Sequence, residues 1–254
     1  MQKGAIFRVA RTREELEKAY SLVYKEYLKR GYTEENPSQL RFSTYNTLPH
    51  TATFIAINYS ADVVATATVI PDSFFGLPMD AIYLQELNQL RAQNKKMCEI
   101  SMLASDNDFF KNGALVLPLK KLYFMLSFFK VILDYVKTII ELDYICVTIN
   151  PKYDRIFELL LFEDIGRLKS YPEVNGAPAI AKCIDVRSIK EKFSKPGKEK
   201  LYKMFVLQRT DPRQFLDKKV FTSEDLLYFF DAVSRDKIDA CESGRVPSQI
   251  EYPW

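Results

Sequence analysis

The chain has one tryptophan, one histidine and four cysteines in 254 residues, and each scarcity removes a class of chemistry. His50 alone cannot build a site that needs several imidazoles. Cys98, Cys146, Cys183 and Cys241 show no C-x-x-C spacing, so a structural zinc site and metal catalysis are disfavoured. Three of these thiols fall in strand-like runs and read as reduced, buried side chains of a cytoplasmic protein. Charge of one sign is not in excess either: 36 Lys and Arg against 33 Asp and Glu leave +3, with no dense basic stretch, which argues against a nucleic-acid partner. Residues 1–30 contain no apolar stretch of the kind a secretory signal carries. In the apolar region 117–142, the charge-free run from Leu122 to Phe129 falls far short of the roughly 20 residues that a membrane span needs, so a buried helix is expected there.

What the sequence does have is apolar content, 47% of the chain, and aromatics, with 18 Phe and 15 Tyr. That is enough for one large domain, or one domain with an appendage, and for the lining of an apolar pocket. The most telling stretch is Lys96-Met97-Cys98-Glu99-Ile100-Ser101-Met102-Leu103-Ala104, a single carboxylate inside a run that otherwise reads as a strand buried on both faces. Such a group must be neutralised, paired or set at a cavity wall. Burial raises a carboxyl's pKa toward the range useful for proton transfer, which makes Glu99 a candidate general base; the alternative is a structural acid salt-bridged at the strand end.

Around this strand the spacing predicts a strand at 7–10 and then a helix capped by Thr12, with Glu15 reaching back to it. Leu16, Ala19, Tyr20, Val23, Tyr24 and Tyr27 recur at helical period until Gly31. Residues 32–50 form a candidate binding loop carrying Arg41. A hairpin follows over 53–58 and 63–70, then a turn at 76–80 and a short helix through Arg91. The apolar run 144–149 fits a parallel partner of the Glu99 strand, because a helix of suitable length separates them. A helix at 152–162 and strands near 167–171 and 179–184 complete a mixed α/β sheet with helices on both faces. Beyond Asp185 the composition turns charged and helical, which suggests one folded body at 1–186 and a helical C-terminal appendage at 187–254 with a loose tail.

This order of elements resembles that of the GNAT acyltransferases, and specific residues bring the likeness closer. They are Leu22-Val23-Tyr24-Lys25-Glu26-Tyr27 with Gly31-Tyr32, Arg41, Leu48-Pro49 before Thr51-Ala52-Thr53-Phe54, Asp72-Ser73, and Gly76-Leu77-Pro78-Met79-Asp80. Glu86-Leu87, Leu90-Arg91, Glu99-Ile100-Ser101, Leu103-Ala104 and Asn175-Gly176-Ala177-Pro178-Ala179 continue the set. In order and spacing they resemble the FeeM-type N-acyl amino acid synthases, relatives of the acyl-homoserine lactone synthases. The resemblance implies a GNAT-like fold. It also implies transfer of a long fatty acyl group from the phosphopantetheine thioester of an acyl carrier protein to the α-amine of an amino acid, with no tightly bound cofactor. Glu99 and Ser101 match a Glu and Ser two residues apart in the lactone synthases. Those enzymes carry arginines where this chain has Met102 and Thr68, so their grip on the substrate carboxylate does not transfer.

The reaction needs a proton acceptor, which Glu99 can supply, and an oxyanion donor, for which a free backbone N–H where the Glu99 and Cys146 strands splay would serve. Arg41 or Arg91 is the candidate for the substrate carboxylate, with Asp72 beside the substrate; each arginine could equally be a surface residue paired with an acid. Phe124 and Phe128 could line an acyl tunnel or simply fill the core. CoA-dependent members of the fold use a glycine-rich Q/R-x-x-G-x-G/A loop, whereas residues 109–117 here hold one glycine, so acyl-CoA is the less favoured donor. Lys95, Lys96, Lys111, Lys120 and Lys121 could form a docking patch for an acidic carrier protein, or only a wet face. Two further readings compete: a catalytically silent GNAT-like module that binds acyl groups or a carrier protein, and a CoA-dependent N-acetyltransferase.

Overall fold

A computed structural model describes residues 5–111 and 118–242. Strand β1 (Ile6–Val9) leads into helix α1 (Arg13–Leu28). Thr12 caps α1 by accepting the Glu15 N–H, as its position predicts. The Glu15 carboxylate does not close a capping box. It takes the Arg11 N–H at 2.8 Å and the Arg8 guanidinium at 2.6 and 2.8 Å, because a fork-shaped cation on the adjacent strand outbids one backbone amide. Leu16, Ala19, Tyr20 and Val23 face inward, and Gly31, at φ +71°, follows the end of the helix.

Strands β2 (Ala52–Ile57) and β3 (Val63–Pro71) form the expected antiparallel hairpin, and α2 (Asp80–Arg91) leads to β4 (Met97–Ser105). Short α3 (Asn107–Lys111) and long α4 (Pro118–Thr138) then cross to β5 (Tyr144–Ile149), which is followed by α5 (Asp154–Leu159), β6 (Glu163–Asp164), β7 (Lys169–Tyr171) and β8 (Ala177–Asp185). The sheet order is β1-β2-β3-β4-β5-β8-β6, with β7 also on β8. The β4–β5 pair is parallel; the other pairings are antiparallel. The element order, with one parallel pair in an otherwise antiparallel sheet, is that expected of the GNAT-like α/β fold.

Two departures from a regular ladder shape the middle of the sheet. The β4–β5 pairing covers only Met97–Glu99 against Tyr144–Cys146, although both strands run on. On the other side of β4 the register to β3 slips between Thr66 and Thr68, where Met102 has φ +52°, a bulge that turns β4 away from β5. Past Glu99, the β4 edge toward β5 is therefore unpaired.

Alternation along β4 sends Cys98 and Ile100 into the core under α4 and Met97 and Glu99 to the opposite face, which α1 and α2 cover; the bulge breaks the alternation and brings Met102 to that face as well. Glu26, fully buried on α1, holds Lys29 and Arg30 just past the end of that helix and accepts from Asn107 Nδ2 at 3.3 Å, fastening α1 to the start of α3 after β4. Cys98, Cys146 and Cys183 are buried free thiols. Among the described residues no helix is long and apolar enough to cross a membrane.

The chain beyond Asp185 comprises α6 (Ile189–Phe193), α7 (Glu199–Tyr202) with a π turn at Lys203–Leu207, and α8 (Ser223–Glu242). Phe193 and Phe205 stack at 5.3 Å inside the same core as α4, while Phe229 is buried against Tyr20 and Phe42 on the α1 face. Leu227 of α8 is left outside, at 72% exposure. The expected loose tail, including Trp254, and the Cys241 side chain lie outside the described residues.

Truncating Phe205 to Ala is expected to cost about 3 kcal/mol, typical of a buried phenylalanine, and to lower the single unfolding transition of the entire chain. A main transition left at the wild-type midpoint would show instead that residues 187–242 unfold separately.

Candidate active site

Glu99 is 2% exposed, and no ion pair reaches it among the described residues. Its Oε2 accepts one hydrogen bond, from the Met79 N–H at 2.8 Å. The turn before α2 delivers that amide. Gly76 takes φ +69° where an added Cβ would lie 2.3 Å from Asp80 Oδ2, Asp80 Oδ2 accepts the Leu77 N–H at 2.7 Å, and Leu77 and Met79 are both fully buried. Burial pushes the Glu99 carboxyl up to about 8; the Met79 N–H works against this by favouring the ionised form, and the negative charges of Asp80 and Glu173 push further upward. The alternative reading, an acid satisfied by a salt bridge, does not describe this geometry.

Three tyrosines feel the Glu99 charge, from α1 (Tyr27), the 3-10 turn at Thr44–Thr47 (Tyr45) and β7 (Tyr171). Burial raises all three phenols first, and Glu99 adds to it. Tyr171 donates to the Pro78 carbonyl at 3.2 Å and Tyr45 to that of Phe75 at 3.3 Å, so both rings brace the same turn. Arg41 lies over the Tyr27 ring at 5.0 Å and donates to the Glu173 carbonyl at 2.6 Å; no carboxylate pairs with it among the described residues. A guanidinium with spare donors thus stands in the same cluster as the buried acid. Ser101, half-buried, follows Glu99 by two residues and sits opposite Thr68 of β3. Thr68 Oγ1 lies 3.3 Å from Thr53 Oγ1, and Met102 Sδ accepts from Asn46 Nδ2 at 3.3 Å, so neutral contacts occupy the two positions where arginines were noted as missing.

Several expected placements need revision. Arg91 is not free to receive a substrate carboxylate. Its guanidinium is bidentate to Asp72 at 2.7 and 2.8 Å and to Asp80 at 2.8 and 2.7 Å, so Asp72 is an arginine partner rather than a substrate contact. Phe124 and Phe128 lie across the sheet from Glu99: they pack on Phe7 at 5.1 and 5.7 Å, the core-filling alternative. A separate open cleft of about 380 Å³ lies against another side of α4, lined by Leu122, Leu126, Leu159, Leu201 and Met204. The lysines do not form one patch. Lys95 and Lys96 precede β4, whereas Lys121 bonds Asn107 just after β4 ends, and nine strand residues of about 3.3 Å each separate them. Lys120 is exposed beside Lys121; the Lys111 side chain and residues 112–117, including Gly113, lie outside the described residues.

Sequence reasoning passed over Asp80 and the tyrosines 27, 45 and 171 as site residues. Tyr27 carried helical periodicity and read as core; the signal available for the others was the Gly76-Leu77-Pro78-Met79-Asp80 turn itself, whose glycine and proline fix a backbone without saying what it touches.

A family model described as N-acyl amino acid synthase FeeM matches residues 18–185. Among solved structures, the chain is similar to FeeM, an N-acyl amino acid synthase from uncultured soil microbes, at 31% identity and TM-score 0.65, over 75% of this chain and 95% of that one. It is similar to the AHL synthase LasI at 13% identity and TM-score 0.53, and to TofI at 11% and 0.50, each over 72% of this chain and 91% of theirs; these two share the fold. No curated protein matches the chain.

The Glu99 carboxyl binds a proton more tightly folded than unfolded. Its contribution to stability is therefore fully present below the ordinary value of 4.5 and is lost as pH rises to about 8. Glu99→Gln removes this loss, so in thermal melts the variant should gain on the wild type from about pH 5 to about pH 8 and hold a constant margin above. Parallel pH dependence of the two proteins would mean that Glu99 titrates as an ordinary carboxyl.

Proposed function

Because the chain belongs to the FeeM family of N-acyl amino acid synthases, we propose that it transfers a long fatty acyl group from the thioester of an acyl carrier protein to the α-amine of an amino acid. Family membership makes it an N-acyltransferase; donor and acceptor are the proposed part. The observation that carries the reading is Glu99, a buried carboxylate with one hydrogen bond and no cation, next to the point where β4 leaves β5.

The chemistry follows from that placement. Ionised Glu99 accepts a proton from the substrate ammonium, directly or through one water, and the freed amine attacks the thioester carbonyl carbon. A backbone N–H on the unpaired edge of β4 past Glu99 stabilises the oxyanion. On collapse of the tetrahedral intermediate the C–S bond breaks, the nitrogen gives up its second proton to the departing pantetheine thiolate as the amide forms, and Glu99 releases the first proton to water. Arg41, uncommitted to any carboxylate among the described residues and stacked on Tyr27, binds the amino-acid carboxylate. The splay between β4 and β5 gives the acyl-pantetheine arm its path to the amine. Lys120 and Lys121, beyond the open end of β4, are placed to meet an acidic carrier; Lys95 and Lys96 lie at its other end.

With acyl carrier protein thioesters and a panel of amino acids, mass spectrometry should find N-acyl amino acids as products. Glu99→Gln should lower kcat at least about 100-fold. The wild-type kcat/KM should rise with pH toward a plateau above about 8, since the base works only when ionised, and that limb should vanish in the variant. Full turnover by Glu99→Gln, or faster reaction with acyl-CoA than with the carrier thioester, would overturn the corresponding part of the reading. Arg41→Lys, which loses the bidentate fork, should raise KM for the amino acid about tenfold with kcat little changed.

A further inference from the structure

The segment joining β3 to α2 is fastened across its base by a single side chain. Arg91, at the end of α2, bonds Asp72 at one foot of the loop and Asp80 at the other, two bonds to each, all between 2.7 and 2.8 Å. All three side chains are mostly buried, at 25%, 19% and 16% exposure. The tip of the loop contributes little to its own order, because Phe74 is 99% and Phe75 69% exposed. Its conformation is therefore held from below, by this staple, by the buried Leu77 and Met79, and by the two tyrosine hydroxyls on the Phe75 and Pro78 carbonyls. One product of that conformation is the Met79 N–H, which meets Glu99 Oε2. Asp80 links the two ends of the argument, since one of its oxygens accepts from both Arg91 and the Leu77 N–H two residues before Met79.

We propose that Arg91, Asp72 and Asp80 are positioning residues that act through the 72–80 loop, keeping the Met79 N–H on the Glu99 carboxylate and so governing how readily that carboxylate gives up and takes a proton. The proposal rests on Glu99 being the general base. It gives Arg91 a role that needs no contact with substrate. The charged and titratable groups around Glu99 are Asp80 from α2, Glu173 from the turn after β7, Tyr27 from α1, Tyr45 from the loop before β2, Tyr171 from β7, Arg41 over the Tyr27 ring, and the thiols of Cys98 on the other face of β4 and Cys146 on β5. Most are neutral near pH 8 or acidic, so the Met79 amide is the hydrogen-bond donor in this shell that favours the ionised form. With the site kept dry, losing that amide makes Glu99 harder to ionise, and a midpoint that falls in the variants below would contradict the proposal by showing that the loop acts through water exclusion instead.

The decisive variant is Arg91→Lys. The positive charge stays, so the field at Glu99 is nearly unchanged, but one ammonium cannot hold both carboxylates in bidentate fashion. The carboxyl of Glu99 is followed by carbon-13 NMR of glutamate-labelled protein, its resonance identified by its absence in Glu99→Gln. In Arg91→Lys its titration midpoint should rise by about one pH unit, the usual consequence of loosening one hydrogen bond to a charged group. The acid limb of kcat/KM should move with it, lowering activity about tenfold near neutral pH while KM for the amino acid on the high-pH plateau is retained. Asp72→Asn gives an independent reading, because removing a negative charge would by field alone leave the midpoint in place or lower it; a rise reports the loop. An unmoved midpoint in whichever of these variants is folded overturns the proposal. So does a raised KM for the amino acid at every pH with the midpoint unmoved, which would make Arg91 a substrate receptor. A midpoint that moves while the activity limb stays put upholds the staple and contradicts the general-base reading of Glu99.

Discussion

A carboxyl group kept dry in the middle of a sheet, with one amide hydrogen bond and no cation to neutralise it among the described residues, is the constraint around which this molecule is arranged. Ionising a buried acid costs far more than ionising an exposed one, so the surroundings decide whether Glu99 is a liability or a reagent. Here they do not discharge it with a lysine or arginine. Arg91 and Arg41 on this side are directed elsewhere: Arg91 to Asp72 and Asp80, Arg41 to Tyr27 and the Glu173 carbonyl. The result is a carboxyl that burial tunes toward the range useful for proton transfer.

The sheet supplies the second requirement, an opening at the acid. Regular pairing would cover the β4 edge with β5 along its whole length. The bulge at Met102, with its positive φ, turns β4 away after Glu99, leaving backbone donors unpaired just where an oxyanion would form. Glu26, by fastening α1 to Asn107, fixes the turn at the end of the diverging strand. The buried acid and the unpaired strand edge thus meet at one irregularity in one strand, supported on one face by α1 and α2 and on the other by the α4 core.

Much of this was legible in the sequence. Alternation and turn residues place the β2–β3 hairpin, Thr12 marks the start of α1, and an acid inside Met97–Ala104 stands out because a continuous apolar run has no polar face on which to put it. What was not legible depends on contacts between distant segments. Arg91 is eight residues before Glu99 and looks available for substrate, and only the folded loop shows that Asp72 and Asp80 saturate it. Phe124 and Phe128 have the composition of a tunnel wall, but helix phase and the position of Phe7 turn them into core. The lysines at 95–96 and 120–121 are near in sequence to the same strand yet lie at its opposite ends, since a strand converts nine residues into about 30 Å. The aromatics after Asp185 likewise gave helices but not their destination: Phe193 and Phe205 complete the core under α4, and Phe229 closes the α1 face.

The central claim concerns a single proton, and the most direct measurement is the protonation state of Glu99 in the unaltered protein, read from its carboxyl carbon resonance across the pH range. The account predicts that Glu99 is still protonated at about pH 6, where ordinary glutamates are ionised, and becomes a carboxylate only as pH passes about 8. A resonance that titrates near the ordinary value of 4.5 would contradict it, because a carboxylate that ionises as easily as one in water is not being held apart from water.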